Sequence, residues 1–539
     1  MNINSIPFSD LPFTKLFQDY ISNFEKLASF FETNPFDESE IKKKIESCSF
    51  QGNRKQTVEF LKKYNHQFDA EDDVITSIDK LLDDQSLVVV TGQQLTLYGG
   101  PLFTIYKILT AISYAKRWEK KFNRPVIPVF WMADEDHDYE EAATIGIPDK
   151  DEFQKLYYES NNRQKKRVFD IELGEGVNPF FEDIKNHQFE TDFSKNLWNH
   201  LESFYHSETT FGKAFGKWIL HLFGKHGLIL AGTNHKKAKE IIKDSLQKSV
   251  ERTTDNFDAL SKKSDELKQA GYHQQVYVQP SNLFWIDEDG NRQKLNFENG
   301  GWSADNGKVK WQEPELINEI NNHPDRFSPN VFLRPVTQNF LLPAAAYVAG
   351  PGEIAYYAQT KEFYKGFGLE MPIILPRFSA TIIESGIDRI FEKLPFNLKD
   401  YNQRIEDLET TYINQADTPD IEKIFGKWRH QIDEVSKPAI AEISDIDPTL
   451  KKTSEKAKAV FYTELDKLKG KLYRSVKDQD KTQLDRIRKI QTSIFPDGNL
   501  QEREVAFIYF MNKYGLDIWD QFLEAFSDEL PDSHKVTRL

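Results

Sequence analysis

A single cysteine, Cys48, stands in a chain of 539 residues. No disulfide can therefore close within the chain, and a cysteine-rich metal site is excluded. No apolar segment reaches the roughly 20 residues that a bilayer-spanning helix requires. The opening residues, MNINSIPFSDLPFTKLF, carry Asp10 and lack a basic start followed by an apolar run, so they do not read as a secretory signal. These absences predict a cytoplasmic protein with no membrane partner. Low-complexity tracts are missing too, and 39% hydrophobic with 29% charged residues is a globular balance. Bases are the minority, 70 against 85 acids for a formal charge of −15, which argues against a broad nucleic-acid face. Small molecules or other subunits are the expected partners. Neither a P-loop (GxxxxGK before Ser or Thr) nor the dinucleotide fingerprint GxGxxG occurs.

The length is too great for one core, so two or three structural units are expected. From Phe13 to about Leu82 the pattern is helical, with Leu16, Tyr20, Phe24 and Leu27 on one face. LVVVTG, PVIPVFW, GLILAG and MPIILPR are short apolar runs separated by helix-compatible sequence. That alternation predicts an α/β fold with parallel strands buried on both faces. Two stretches interrupt it. KLYYESNNRQKKRVFDIELGEG has strand character, and QVYVQPSNLFWIDEDGNRQKLNFENGGWSADNGKVKW has the Asp-Gly and Asn-Gly signals of a β-meander. Insertions of this kind usually cover or shape a site. Beyond about Glu384 long charged helices follow. Ala457, Phe461, Leu465, Leu468 and Leu472 form one narrow seam, and Leu484, Ile487, Ile490 and Ile494 another. With KDQDKTQ as the turn, they predict an antiparallel hairpin of coiled-coil type; helices packed on the core are the alternative. The expected organisation is a helical part at 1–85, a core at 86–385 with insertions near 149–190 and 272–325, a helical domain at 386–495, and returning helices at 496–539.

Three constellations can carry chemistry. In VVVTGQQLTLYGGPLFTIYK a strand ends near Thr91 and runs through Gly92, Gln93 and Gln94 to a turn at Gly99 and Gly100. Pro101 suits a helix start, whose free N–H groups would hold a phosphate or carboxylate, with Thr104 and Lys107 inside that helix. In PVFWMADEDHDYEE, Asp134, Glu135, Asp136, His137 and Asp138 follow a strand directly. Carboxylates around an imidazole raise its pKa and fix its tautomer, which suits acid–base work or an ammonium group, with Asp134, Asp136 and His137 as catalytic candidates. A divalent metal and a solvated acidic loop are the alternatives. In LRPVTQNFLLPAAAYVAGPGEIAYYAQ, Arg334, Thr337, Gln338 and Asn339 precede an Ala-rich run that also fits simple helix packing, and Glu353 follows the Gly350–Gly352 turn. An arginine there makes a carboxylate or sugar pocket. Asn234 and His235 also follow a strand, where sites of this architecture form.

Together VVVTGQQLTLYGGPLFTIYK, PVFWMADEDHD, LRPVTQNFLLPAAAYVAGPGEIAYYAQ, LPRFSATIIE and FPDGNLQER resemble the BshC family in order and nearly over the whole chain. The resemblance implies a Rossmann-like core with two connecting insertions and a coiled-coil domain that pairs subunits as a homodimer. It implies a cysteine-adding ligase of bacillithiol biosynthesis that joins cysteine to the amine of glucosaminyl-malate, with ATP as co-substrate and no metal site. Arg377 in LPRFSA is then a candidate contact to the nucleotide. Cys48 lies far from these motifs and is not expected to be a nucleophile. The rival classes are a metal-dependent hydrolase using the Asp134–Asp138 cluster and a nucleotide-responsive interaction protein.

Overall fold

Five apolar runs line up as one parallel sheet in the computed structural model, which describes residues 2–149, 152–160, 166–415 and 420–539. They are β1 (Leu87–Gln93), β2 (Val126–Met132), β3 (Ile229–Ala231), β4 (Ala344–Ala349) and β5 (Ile373–Pro376). Their order across the sheet is β5-β4-β1-β2-β3. The order reverses between β1 and β4, which is the switch point of a Rossmann-like sheet. Ligands of such sheets bind there, outside the carboxyl ends of the strands. Val88, Val89 and Val90 of β1 and all seven residues of β2 are buried. Burying each valine, leucine or isoleucine side chain contributes about 1.5–3 kcal/mol, so this sheet is the rigid base of the unit.

β4 corrects the helical alternative for the Ala-rich run. Alanine favours helix in isolation, but Pro343 keeps its predecessor out of helical geometry. The run then pairs with β1 and β5 on either side. The Leu102–Phe122 helix joins β1 to β2 and stops at Asn123 in left-handed geometry, φ 49°. The amino-terminal pattern is helical, though broken: Lys15–Ser22 ends before Phe24–Lys26 makes one separate turn, and helices Glu38–Ser47, Arg54–His66 and Asp72–Asp79 follow.

The second interruption is β-structure from Leu283 onward, whereas the first is so only in part, since Val168–Asp170 is a 3-10 turn and Val177–Asn186 a helix. Thr144–Pro148 pairs with Phe153–Tyr157, while residues 161–165 of the KLYYESNNRQKKRVFDIELGEG stretch lie outside the described residues. Asn296–Glu298, Gly301–Ala304 and Val309–Trp311 form the meander, with Asn299 and Gly300 at positive φ in its first turn. Leu283–Ile286, Arg292–Lys294 and Phe327–Pro329 form a second small sheet.

The chain divides into two compact units, Met1–Ile382 with Leu500–Thr537 and Ile383–Asn499 with Arg538–Leu539. In the second unit the hairpin differs from the one the seams predict. Ile421–Ile446 pairs antiparallel with Lys451–Gln479 through Lys469–Glu422 and Lys458–Asp433 ion pairs, and Ile421, Phe425 and Leu465 share one core. Only Leu465 of the first seam faces inward, whereas Phe461, Leu468 and Leu472 are exposed. Lys481–Ile494 instead buries Leu484, Ile487, Ile490 and Ile494 against the Ser385–Phe391 and Ile405–Gln415 helices. The nearest apolar strip in sequence is not the partner, because Asp480 alone separates the two helices and leaves no length for a turn-back.

Candidate active site

Charges of opposite sign collect on either side of the end of β1. On the β4 side, buried Lys107 turns back beneath the strand end. Its Nζ donates to Gly92 O at 2.8 Å and Gln93 Oε1 at 3.0 Å, and pairs with Glu353 Oε2 at 2.5 Å. Glu353 also accepts from the Tyr347 hydroxyl and the Gly350 N–H, each at 2.7 Å. Burial lowers the Lys107 pKa against the pull of Glu353. Burial also works to raise that of Glu353, but Lys107 and the Gly350 N–H hold it below the usual carboxylate range. This pair is internally neutral. Arg334 is different. Its Nη2 donates to the Tyr356 hydroxyl at 2.7 Å, and its guanidinium lies 5.9 Å from the Tyr347 ring centroid. Among the described residues no carboxylate lies within ion-pair distance of it. A partly buried guanidinium with unfilled donors favours a bound anion.

On the β2 side the acidic run folds inward rather than out to solvent. Asp134 accepts from the Tyr64 hydroxyl at 2.6 Å and from the Thr233 and Asn234 N–H groups at 3.1 and 3.0 Å. Burial, and then the charge of Glu135, push its pKa up to about 7. Gly232 permits this approach, because a Cβ there would collide with Asp134 Oδ2 and the Tyr64 hydroxyl. Glu135 pairs with buried Lys239 at 2.5 Å and accepts from Thr233 Oγ1 at 2.5 Å. Asp136 accepts from Gln94 Nε2 at 2.7 Å, and its backbone carbonyl accepts from the Val168 N–H of the first insertion at 2.8 Å.

His137 is the group best placed for proton transfer. Its Nδ1 lies 3.0 Å from Glu135 O. A carbonyl only accepts, so Nδ1 carries the hydrogen and Nε2 is the free base. Nε2 is itself shielded from solvent and has no hydrogen-bond partner among the described residues. Burial, and then the Arg292 charge of the second insertion, lower the His137 pKa from the usual value of 6.5, the reverse of what the flanking carboxylates predict. The imidazole is therefore neutral near pH 7.

The Gln94–Asp136 bond brings the first motif to the second, as does the Ala133 N–H donating to Gln93 O at 3.2 Å. Other candidates lie elsewhere. Gly99 and Gly100 are buried: a Cβ on Gly99 would strike Phe507, and one on Gly100 would strike Thr96. The Leu102 N–H at the helix start donates to Val505 O at 2.9 Å. That N–H is therefore not free for a phosphate, and Gly99 lets the turn pack against Phe507. Thr91 Oγ1 ties β1 to Val348 O, and Thr104 is buried with a hydroxyl that has no partner. His235 accepts from the Lys237 N–H as a helix cap, and the Asn234 side chain reaches only Asp170, at 3.5 Å. Gln338 is buried and Asn339 partly so, and no hydrogen bond joins either side chain to the groups above. Arg377 is paired with Glu502. Sequence reasoning missed Tyr64, Thr233, Lys239, Tyr347 and Tyr356. Thr233 sat beside the Asn234–His235 signal, whereas Tyr64 and Lys239 lie on helices whose pattern marks only apolar faces.

Among the described residues no group of three or more His, Cys, Asp or Glu side chains converges to hold a metal ion. Asp134 and Glu135 direct their oxygens to protein donors instead. Cys48 packs against the apolar cluster that includes Ile41, Ile45, Leu87 and Val126, and none of the groups above touches it among the described residues. Burial raises its thiol pKa. Cys48→Ser is expected to leave turnover nearly intact at a stability cost of about 1 kcal/mol, checked by activity and thermal melting on one preparation. Lost turnover with an intact fold would reveal a covalent role.

Residues 1–378 match the family model described as bacillithiol biosynthesis BshC, N-terminal Rossmann-like domain, and residues 380–539 match its C-terminal coiled-coil domain. Curated proteins named "Putative cysteine ligase BshC" are similar along nearly their whole length. The one from Salinibacter ruber is 29% identical, covering 97% of this chain and 96% of its own. One from a Geobacillus species is 32% identical over 87% and 88%, and one from Chlorobium phaeobacteroides is 30% identical over the full length of both. With a Rossmann-like sheet, a coiled-coil unit and matches that leave almost no residue uncovered, the chain belongs to the bacillithiol biosynthesis BshC family.

Proposed function

We propose that this protein is a ligase that joins the carboxyl group of cysteine to the amine of glucosaminyl-malate, the final step of bacillithiol biosynthesis. The observation that carries the reading is the arrangement of charge at the end of β1, with Arg334, which has no ion-pair partner among the described residues, on one side and Asp136 and His137 on the other. Neighbouring strands lie about 4.8 Å apart, so the β4 and β2 ends are separated by about 10 Å. A substrate with carboxylates at one end and an amine at the other suits that span.

In this reading Arg334 holds the malate carboxylates. Asp136 faces the cysteine ammonium, and His137 Nε2 takes the proton that the attacking amine sheds as the amide bond forms. A free carboxylate must first be given a leaving group, and ATP as co-substrate supplies that chemistry. The buried turn at Gly99 and Gly100 does not fit as its phosphate cradle, so the unfilled Arg334 donors are the better anion contact. Pure protein incubated with cysteine, glucosaminyl-malate and ATP should yield the conjugated thiol by mass spectrometry, and none without ATP. No product from the complete mixture would overturn the proposal.

The coiled-coil unit extends the reading to assembly. Val460, Phe461 and Leu468 on one helix of the hairpin, and Trp428 and Val435 on the other, are exposed. A homodimer through this unit would cover such a surface. Light scattering at micromolar concentration should give a dimer, and Phe461→Asp should shift it towards monomer. A monomeric wild-type protein would end the idea.

A further inference from the structure

A second buried polar network lies beyond β5, and the reaction scheme above does not use it. Arg377 follows β5 directly, and its N–H donates to Ala349 O, the end of β4, at 2.9 Å. Its guanidinium forks onto Glu502, with Nη1 to Oε2 at 3.0 Å and Nη2 to Oε1 at 2.7 Å; Nη1 also reaches Phe378 O at 2.8 Å. The two side chains are 4% and 0% exposed. Glu502 further accepts from Ser379 Oγ at 2.9 Å and the Ala380 N–H at 3.1 Å.

These bonds determine the hydrogens behind the fork. A carboxylate only accepts, so the one Ser379 hydroxyl hydrogen goes to Glu502. His534 Nδ1, 2.8 Å from Ser379 Oγ, must then be the donor, and Nε2 accepts from the Thr381 hydroxyl at 2.8 Å. Burial lowers the His534 pKa to about 4, which keeps the neutral imidazole this arrangement needs. The fork is held from behind in a single way.

One edge of Arg377 is left over. Its Nε makes no hydrogen bond among the described residues. A Cβ built on Gly350 would lie 3.6 Å from that Nε, 3.5 Å from Glu353 Oε2 and 3.9 Å from Lys107 Cε. Three charged side chains thus surround the bare backbone of Gly350 at the switch point. A buried ion pair by itself is weak evidence of a stabilising role, whereas a guanidinium clamped on two nitrogens with its third left without a hydrogen bond beside bare backbone is a preorganised anion donor.

We propose that Arg377 contacts the anionic end of glucosaminyl-malate through Nε, beside Arg334, and that Glu502, Ser379 and His534 are positioning residues that hold it there. This rests on the ligase reading and extends its site to the Leu500–Thr537 segment. The test is calorimetric binding of glucosaminyl-malate and, separately, of cysteine to full-length wild type, Arg377→Lys, Glu502→Gln and Ser379→Ala. Arg377→Lys and Glu502→Gln should each weaken glucosaminyl-malate at least about tenfold, because lysine lacks the fork and glutamine cannot accept on both oxygens. Ser379→Ala should weaken it less, and cysteine binding should stay unchanged in all three. Equal losses for both ligands, or wild-type affinity in Arg377→Lys, would mean that the network is only structural. If Glu502→Gln does not fold, Arg377→Lys decides alone. Wild type that binds neither ligand would sink the ligase reading itself, an outcome distinct from unaffected binding by the variants.

Discussion

His137→Ala should cut product formation at least about a hundredfold, roughly 2.7 kcal/mol of transition-state stabilisation, the scale of losing an acid–base group. The expectation follows from the tautomer. Nδ1 is committed to Glu135 O, and the shielded Nε2 has no partner among the described residues, so the side chain holds one basic nitrogen in reserve. Asp136→Asn should lose a similar factor, since it removes the charge proposed to face the ammonium. A pH profile gives the sign. The base works only when deprotonated, and burial with Arg292 lowers its pKa below the usual value. Activity should therefore hold through neutrality and fall only at pH below about 6.5, and that acid limb should vanish in His137→Ala. Thermal melting of the same preparations should stay close to wild type, because a partly exposed loop histidine carries little of the core. Full activity in both variants would reduce the acidic run to a folded loop without chemistry.

The largest stability effect is expected at Lys239. It is 2% exposed, pairs with Glu135 at 2.5 Å as its one carboxylate among the described residues, and also donates to Phe327 O at 2.5 Å. Lys239→Met should destabilise the first unit by about 3–5 kcal/mol, because it leaves the Glu135 charge buried without compensation. The double variant Lys239→Met/Glu135→Gln should recover much of that loss. Urea unfolding of the three variants measures both. A single variant as stable as wild type would mean that Glu135 takes a proton or water reaches it.

The strands that sequence made legible are those whose residues are alike. LVVVTG, PVIPVFW, GLILAG and MPIILPR are buried on both faces, so each reads as an unbroken apolar run. AAAYVA is just as buried but hides its state, since alanine suits a helix and only its neighbours β1 and β5 make it a strand. The turn at Gly99 and Gly100 misleads for a related reason. Positive φ, 94° and 82°, calls for glycine whether the bare backbone meets a ligand or, as here, Phe507 and Thr96.

Sequence by itself determined the parallel α/β class and the meander turns, because periodicity and turn chemistry are local consequences of residue type. Tertiary structure alone decided which charges are neutralised. Tyr64 reaches Asp134 across 70 positions, Lys239 reaches Glu135 across 104, and Glu502 reaches Arg377 across 125. A side chain's charge is written in the chain, but whether it is compensated depends on what folding brings within about 3 Å of it. That is why Lys107 and Arg334, both cations near the end of β1, separate into one residue that is already paired and one without a carboxylate within ion-pair distance among the described residues.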